Sequence, residues 1–403
     1  MFKKITLKNY RTHVDTTLEL QEITLLMGSN NSGKSNLLTG IQHFSKLVSQ
    51  PSSEKSQEVG KNNYYPHKHC LDTSHKPLVF ACEWENQNGN VVYHQELYPL
   101  KEKMGCKEKI EISTEHTLLQ EHGYAKASHE MLLRTKLEDN ANLLDEDKRL
   151  LDNFFRSLAF VHYYNFQPAF LKGQAIPSII PKIDYQNVRI PRDLGMEGVH
   201  FQTLVKYVKN HEQETYSRFI AFLRRFVPSF HGILLKNDRV FWQFDMTKDT
   251  SKLPYFEPQF VSDGILKAGA VALLCALKNP PALIMIEEVE NGVNIENVAE
   301  FLGWLRQTVG KDKKTQFILT THSPSVIRQF SGDSRAIGDL DAVYNVNLDK
   351  KNYRSVLTNL NDALGVYVRM GTVAGDFEEK GGKEIVKVKP YKLTELFYDG
   401  ILK

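Results

Sequence analysis

The chain has 403 residues, of which 41% are hydrophobic and 25% are charged, and its formal net charge is +3. This composition is typical of a globular protein with one large or two medium domains. The small net charge excludes a strongly basic chain and leaves only a local basic patch for a nucleic-acid partner. The four cysteines are scattered without C-x-x-C pairing, which predicts neither a disulfide framework nor a zinc site. The sequence shows no signal peptide and no apolar run long enough for a bilayer, so we expect a cytoplasmic protein without a membrane partner.

The chain opens on a predicted β-hairpin over residues 2–20, with a polar turn around Tyr10–His13. Apolar residues such as Ile5 and Leu7 alternate with polar ones in its strands, as expected for a half-buried sheet. A short apolar strand over Ile23–Met27 follows the hairpin.

A G-x-x-x-x-G-K-S motif runs from Gly28 to Ser35, between that strand and an amphipathic helical pattern. Gly28 and Gly33 permit backbone conformations that turn successive N–H groups onto phosphates. Lys34 adds a positive charge at the β- and γ-oxygens, and the hydroxyl of Ser35 completes a Mg²⁺ shell. The guanine-reading Asn-Lys-x-Asp motif is absent from the sequence, which disfavours a GTPase. The predicted nucleotide-binding residues are Gly28, Ser29, Asn30, Asn31, Ser32, Gly33, Lys34, Ser35 and Asn36.

The polar residues 49–75 are predicted to form a loop. Strand and turn signals over 78–82 and 91–93 predict a β-hairpin, and a third strand is predicted over 109–112. Together these strands predict an antiparallel lobe inserted after the P-loop helix. The loop also contains four residues that could bind a metal: His67, His69, Cys70 and His75. Their spacing fits no zinc pattern, which favours a structural role.

Helical patterns dominate the next part of the chain. Residues 127–158 favour a compact helical insertion that is far too short for a long coiled coil. A buried strand is predicted to start at Phe160 and to end in a polar break at Gln167, and another strand covers 240–244. Residues 201–229 predict one amphipathic helix. Its arginines favour a solvated face over a stripe that faces DNA: Arg218, Arg224 and Arg225.

An unbroken apolar run ends in the pair Glu287 and Glu288. Such a run is typical of a strand buried on both faces of a parallel sheet. The two carboxylates therefore lie at the carboxyl end of a strand, where open α/β sheets bind ligands.

Further elements complete the predicted sheet. A helix over 295–309, with Asn294 as its N-cap, leads to a buried strand over 316–319 that ends shortly before His322. A last hairpin and helix are predicted over 342–346, 353–357 and 360–370.

The motifs, in this order, resemble ABC-type ATPase heads of the SMC/RecF/OLD-like branch, including the compact AAA-type ATPases of the AAA_15 and AAA_21 groups. The resemblance rests on the P-loop, on Ser262-Asp263-Gly264 before a helix, on the run Glu287–Gly292 and on His322. It implies an α/β, ABC-type P-loop NTPase fold with a mainly parallel core sheet flanked by helices, an antiparallel β lobe and a helical insertion. Fewer than about eighty residues follow the head, too few for the TOPRIM nuclease domain of OLD relatives. The chain departs from the family pattern at Asp263, Ile265, Val289 and Asn294.

The resemblance implies roles on both halves of a nucleotide site. Glu287 would bind Mg²⁺, usually through water, and Glu288 would be the general base that polarises the attacking water. His322 would contact the γ-phosphate. Ser262 and Gly264 would bind the γ-phosphate held by another protomer.

Two assignments keep an ordinary alternative. Arg11, which follows Asn9-Tyr10, would approach the phosphates, but a solvated turn arginine explains it equally well. Gln167 would reach Mg²⁺ and the attacking water, although one glutamine in a loop is commonplace.

The run Glu290–Gly292 would form the D-loop, which touches the opposite protomer.

The predicted function is ATP hydrolysis by a homodimer or higher homo-oligomer in which two protomers sandwich two ATP molecules head to tail. By the same resemblance, the ATP cycle would control a separate effector, a nuclease, in bacterial anti-phage defence, with DNA or a foreign protein as the trigger. The alternatives are a RecF-like DNA-repair clamp and a non-hydrolysing assembly scaffold. The predicted divisions are the P-loop part (1–48), the β lobe (49–125), the helical insertion (126–240), the second half of the head (241–340) and the C-terminal part (341–403).

Overall fold

The computed structural model describes residues 1–49, 67–99, 104–115, 120–126, 143–173, 193–246, 253–294, 297–309, 315–331, 340–380, 382–389, 392–393 and 395–396. Most of the predicted loop over 49–75, the helical pattern as far as residue 142 and the first residues of the predicted helix 295–309 lie outside these ranges.

The described chain contains runs of strands and of α-helices. The strands are β1 Phe2–Tyr10, β2 His13–Glu19, β3 Ile23–Met27, β4 Leu78–Asn86, β5 Gly89–Pro99, β6 Met104–Thr114, β7 Gln120–Lys126, β8 Val161–Tyr164, β9 Phe230–Lys236, β10 Arg239–Phe244, β11 Tyr255–Phe256, β12 Leu283–Ile286, β13 Gln316–Thr321, β14 Val343–Asp349, β15 Arg354–Asn359, β16 Asp376–Lys380 and β17 Lys383–Lys387. The α-helices are α1 Lys34–Ser49, α2 Asp145–Ala159, α3 Pro168–Leu171, α4 Phe201–His211, α5 Gln213–Phe226, α6 Asp263–Ala276, α7 Val298–Thr308, α8 Pro324–Ser331 and α9 Leu360–Arg369.

The central sheet has the strand order β15-β14-β3-β13-β12-β8. Five of these strands run parallel, and β15 pairs antiparallel with β14 at the edge. All four residues of β12 are apolar and fully buried, which confirms the predicted strand buried on both faces. Because parallel strands end at one edge, the carboxyl ends of β3, β12 and β13 meet there. The predicted α/β class with a mainly parallel core sheet is confirmed.

Each face of the central sheet carries its own hydrophobic core. On one face, Leu26, Met285 and Ile318 pack with α1, α2 and the second sheet. On the other face, Ile284 and Leu319 pack with α4, α5, α6 and α7. The alternation follows from strand geometry, which points successive side chains to opposite faces. The parallel sheet is therefore covered on both sides.

The antiparallel lobe has the strand order β2-β1-β4-β5-β6-β7. It confirms the predicted N-terminal hairpin, the hairpin of β4 and β5 and the third strand β6, which is longer than predicted. The sixth strand, β7, was not predicted. β1 and β2 therefore belong to the lobe. The loop between them lies beside the P-loop helix α1, because Arg11 and Thr12 both hydrogen-bond to Asn36.

The structure corrects the predicted helices at two points. The single helix over 201–229 is wrong, because the chain breaks at Glu212 between α4 and α5 and leaves the helix at Val227. Asn294 is not the N-cap of α7, which begins at Val298 after Asn297. Within the described residues, no helix has both the length and the apolar character that a membrane crossing needs.

The C-terminal elements pack onto the central sheet. The predicted hairpin (β14 and β15) and helix α9 are confirmed, and β14 pairs directly with β3. The hairpin of β16 and β17 was not predicted. Val386 of β17 is buried in the same core as Leu360 and Leu364 of α9.

Candidate nucleotide and magnesium site

The P-loop connects the end of β3 to the start of α1 at the carboxyl edge of the central sheet. Gly28 and Gly33 have φ angles of +149° and +107°. A Cβ at Gly28 would lie 2.2 Å from the carbonyl oxygen of Val346, and one at Gly33 would lie 1.9 Å from Oγ of Ser355. Both positions therefore require glycine for conformation and for space.

Three side chains from outside the motif hold this loop. Ser355 Oγ lies 2.7 Å from the carbonyl oxygen of Ser32 and 2.8 Å from Thr12 Oγ1. His13 Nε2 lies 3.0 Å from the carbonyl oxygen of Gly33. Burial lowers the pKa of His13 to about 4, so the ring is neutral at pH 7. Because a carbonyl only accepts, Nε2 carries the proton and donates it to Gly33.

The ammonium group of Lys34 lies over the P-loop. Its Nζ donates hydrogen bonds to the carbonyl oxygens of Gly28 (2.7 Å) and Ser29 (2.9 Å). Burial lowers the pKa of Lys34, and the carboxylates of Glu287, Glu288 and Glu290 oppose the shift. The positive charge thus lies where the loop and the acidic strand end meet.

Glu287 joins the P-loop helix to the strand that precedes α3. Ser35 Oγ donates a hydrogen bond to its Oε1, and the Tyr163 hydroxyl donates one to its Oε2. Burial and the contact with Glu287 raise the pKa of Tyr163. A hydroxyl and a carboxylate in contact are the oxygen donors that Mg²⁺ prefers, so this pair fits the predicted metal.

Glu288 has a backbone conformation that is uncommon for residues other than glycine, with φ at +45°. Its N–H donates to Thr320 Oγ1 at 2.9 Å. Lys267 Nζ donates to its carbonyl oxygen at 2.6 Å and to that of Asn291 at 3.0 Å. Burial lowers the pKa of Lys267 to about 8, and the neighbouring carboxylates oppose that shift.

His322 lies beside two carboxylates at the end of β13. Its Nδ1 is 3.3 Å from Glu290 Oε1 and 3.9 Å from Glu288 Oε1. Its backbone N–H and the Thr321 hydroxyl both donate to Glu290 Oε1, at 3.0 and 2.8 Å. The fold therefore brings Glu288, Glu290 and His322 together, as the order of the motifs predicts.

Arg11 and Gln167 each have a hydrogen-bond partner outside this cluster. Arg11 Nη1 donates to Asn36 Oδ1 at 3.2 Å, so the guanidinium lies beside the first turns of α1. The Gln167 side chain donates to Asn165 Oδ1 at 3.1 Å, just before α3. Its hydrogen bond thus goes to a neighbour in its own loop, and its contact with Mg²⁺ remains a prediction.

The turn Ser262-Asp263-Gly264 begins helix α6. Ser262 is its N-cap and accepts a long hydrogen bond, 3.4 Å, from the N–H of Ile265. A Cβ at Gly264 would lie 2.2 Å from the carbonyl oxygen of Gly292. The turn therefore packs against the predicted D-loop of its own chain, and its contact with a partner's nucleotide remains a prediction.

Two of the four potential metal ligands near residue 70 have other neighbours. His67 stacks on the Tyr10 ring, with ring centroids 5.5 Å apart, and His69 Nε2 lies 3.1 Å from the carbonyl oxygen of Tyr353. Cys70 is exposed. Over the described ranges, no group of three or more His, Cys, Asp or Glu residues could hold a metal ion.

Sequence reasoning missed four residues of the site: His13, Tyr163, Lys267 and Ser355. Each acts through a contact distant in sequence, which no local motif encodes. Tyr163 and Lys267 carried the clearest signals: one is a polar aromatic near the end of a buried strand, and the other is the lone charge in an otherwise small and apolar stretch of α6.

The P-loop lies beside two adjacent glutamates at the carboxyl edge of a parallel sheet, and the chain also forms an antiparallel lobe. This combination defines the fold of an ABC-type P-loop ATPase head. Residues 1–187 match the family model described as "AAA ATPase domain". Residues 143–328 match the model described as "AAA domain, putative AbiEii toxin, Type IV TA system". The two matches overlap and together cover residues 1–328, so this part of the chain is similar to AAA-type ATPase domains.

Solved structures similar to this chain include SMC head domains. One from Thermotoga maritima is 15% identical, with 89% of this chain and 98% of that chain covered and a TM-score of 0.45. An SMC head bound to the C-winged helix domain of ScpA is 13% identical (90% and 99% covered, TM-score 0.48). An SMC head with an extended coiled coil, bound to the C-terminal domain of ScpA from Pyrococcus furiosus, is also 13% identical (92% and 99% covered, TM-score 0.42). Comparison with curated proteins finds no match.

Proposed function

We propose that the chain hydrolyses ATP to ADP and phosphate. The observation that carries this proposal is the contact of Ser35 with Glu287, because it joins the P-loop helix to an acidic strand end from the far half of the chain. Glu288 follows directly and lies near His322. A nucleotide-binding loop that only assembled the protein would not need this second carboxylate.

Five side chains of the site have a role in this reaction. Ser35 and Glu287 hold Mg²⁺, and Lys34 binds the phosphates. Bound Mg²⁺ supplies positive charge that stabilises the charge on the phosphate oxygens. Glu288 orients the attacking water and accepts its proton, while His322 donates to the γ-phosphate.

The test is phosphate release by the wild type and by Glu288→Gln. We expect the variant to bind ATP with unchanged affinity and to release phosphate about 100-fold more slowly, because the amide cannot accept the proton. Glu214→Gln on the exposed face of α5 is the matched control and should keep the wild-type rate. A wild type that binds ATP but releases no phosphate would favour the scaffold alternative and end this proposal.

We further propose that hydrolysis occurs in a two-fold dimer closed over two ATP molecules. Ser262 is exposed at the start of α6, where a helix N-terminus can bind a phosphate. Light scattering on Glu288→Gln should show a monomer without nucleotide and a dimer with ATP and Mg²⁺. Ser262→Arg in the same background should stay monomeric, and a Glu288→Gln protein that is monomeric under all conditions contradicts the dimer.

We propose that the ATP cycle controls a separately encoded effector, a nuclease, in bacterial anti-phage defence. The family description that names a putative toxin of a type IV TA system supports a role in a system that has a separately encoded partner. The tagged protein, purified from its native host with ATP present, should carry a nuclease with it, and DNA alone would favour the RecF-like clamp instead. The arginines considered for a DNA-facing stripe already have partners in the chain: Arg218 with Cys275, Arg224 with His231 and Arg225 with Glu300.

A further inference from the structure

The ammonium group of Lys267 is buried, and the reaction proposed above gives it no role. It lies one turn after Gly264 on α6, and only 6% of its surface is exposed. Its Nζ bonds two carbonyl oxygens of one short segment, those of Glu288 and Asn291. A lysine is rarely buried unless its charge is compensated, so this geometry needs an explanation.

We propose that Lys267 is a positioning residue that fixes the main chain of Glu288 and ties it to the Ser262-Asp263-Gly264 turn. The proposal rests on the ATP hydrolysis proposed above, in which Glu288 is the base. Lys267 does not touch the reacting atoms, since its partners are backbone carbonyls.

The first support is the conformation that must be held. Glu288 has φ at +45°, and a residue with a Cβ occupies that region at a cost of about 1 kcal/mol or more. Its N–H is fixed by Thr320, and its carbonyl oxygen accepts from both Lys267 Nζ and the N–H of Asn291, the latter at 2.9 Å. Charged donors make the stronger hydrogen bonds, so of these two donors Lys267 contributes more to holding the carbonyl group of Glu288 in place.

The second support is the rigid connection through α6. The same helix carries Gly264, which packs on the carbonyl oxygen of Gly292, and Asp263, which pairs with Lys172 at 2.7 Å. A displacement of the turn therefore moves Lys267 with it, because both lie on the first two turns of one buried helix. In the proposed dimer, a partner's nucleotide at Ser262 thereby acts on Glu288 of the same chain.

The experiment compares Lys267→Met, which keeps the length of the side chain, with Lys267→Arg, which keeps the charge. Lys278→Met, just beyond the end of α6 and exposed, is the matched control. We expect Lys267→Met to lower kcat about 10- to 100-fold with the Kd for ATP unchanged, since a small misplacement of a catalytic group costs that much. Lys267→Arg should recover part of the rate. A kcat within twofold of the wild type in both variants would overturn the proposal.

A second readout does not depend on activity. Hydrogen exchange of the amides of Asn291 and Val293, which donate to the carbonyl oxygens of Glu288 and Glu290, should be at least about tenfold faster in Lys267→Met, while exchange in β13 stays unchanged. Unchanged exchange in the D-loop would overturn the inference even if the wild type released no phosphate, and that second result would separately overturn the proposed hydrolysis. Should Lys267→Met not fold, Lys267→Gln, which removes the charge and keeps a polar side chain, supplies both measurements. Faster exchange with an unchanged kcat would contradict the positioning role.

Discussion

The hydroxyl of Tyr163 donates a hydrogen bond to Oε2 of Glu287, the carboxylate whose other oxygen accepts from Ser35. The backbone N–H of Tyr163 donates to Gln42 Oε1 at 2.7 Å, which ties β8 to α1. Tyr163 thus fixes the orientation of the proposed Mg²⁺ ligand without needing to bind the metal. Groups that orient metal ligands in this way are commonly worth tenfold or more in metal affinity.

Tyr163→Phe should therefore weaken Mg²⁺ binding in the presence of ATP by about tenfold, because Glu287 loses one of its two fixed hydrogen bonds. A Mg²⁺ titration that follows a fluorescent ATP analogue measures this effect. Tyr98→Phe in the lobe strand β5 serves as the control. Equal Mg²⁺ affinities for the two variants would contradict the role given to Tyr163.

Acidification should destabilise the fold through His13. Its pKa is about 4 when folded and 6.5 when unfolded, so between these values the unfolded chain binds more protons. The free energy of unfolding is unaffected by His13 above pH 6.5 and falls as the pH drops towards 4, by up to about 3 kcal/mol. Denaturant unfolding at several pH values measures the slope.

His13→Asn is the matched variant for that slope, because it removes the titration and keeps a side chain that can donate to Gly33. We expect a smaller loss of stability between pH 6.5 and 4 than in the wild type. His43, whose pKa burial lowers to about 3, contributes a loss of the same sign to both proteins. Parallel pH profiles for the two proteins would show that His13 is not the responsible group.

Two glycine substitutions should have opposite effects. Gly264→Ala places a Cβ 2.2 Å from the carbonyl oxygen of Gly292, so it should lower the free energy of unfolding by about 1–3 kcal/mol and slow ATP hydrolysis. Gly303→Ala, inside α7 with nothing within 4 Å of the added carbon, should raise stability by about 0.5–1 kcal/mol. Thermal or denaturant unfolding of both variants tests this contrast, and a neutral Gly264→Ala would contradict the close packing of the two loops.

Ser355→Ala should weaken ATP binding although Ser355 lies more than three hundred residues from the P-loop. It removes the hydroxyl that lies between Ser32 and Thr12, a loss of about 1 kcal/mol or roughly fivefold in Kd. Calorimetric titration with ATP measures the change. Ser157→Ala, which removes a comparable hydroxyl from α2, should leave the Kd as it is.

Local patterns predicted the parts of this protein that depend on local physics. The alternation in β1 and the apolar run of β12 identify their strands, and the P-loop spacing identifies its loop, since each pattern follows from the repeat of one element. The hairpin of β16 and β17 was missed because its strands, Asp376–Lys380 and Lys383–Lys387, are short and highly charged. The break at Glu212 was missed because the apolar repeat continues on both sides of it.

The support around the site could not be predicted from one sequence. Tyr163 contacts Glu287, and Lys267 contacts Glu288, only because the fold brings distant segments together. The positive φ of Glu288 also has no local cause in its side chain, which is unlike the glycine or asparagine that favour that conformation. Such contacts belong to tertiary structure. A sequence motif therefore identifies the reacting residues but not the residues that hold them in position.

The hairpin of β14 and β15 supplies both the carbonyl of Val346 against Gly28 and the hydroxyl of Ser355 against Ser32. During synthesis, the ribosome thus completes the phosphate-binding motif early. It completes the hairpin that packs against this motif only after some three hundred further residues. The growing chain therefore contains the P-loop sequence long before the residues that pack against it have been made. Nucleotide can therefore stabilise only protein whose synthesis has passed β15.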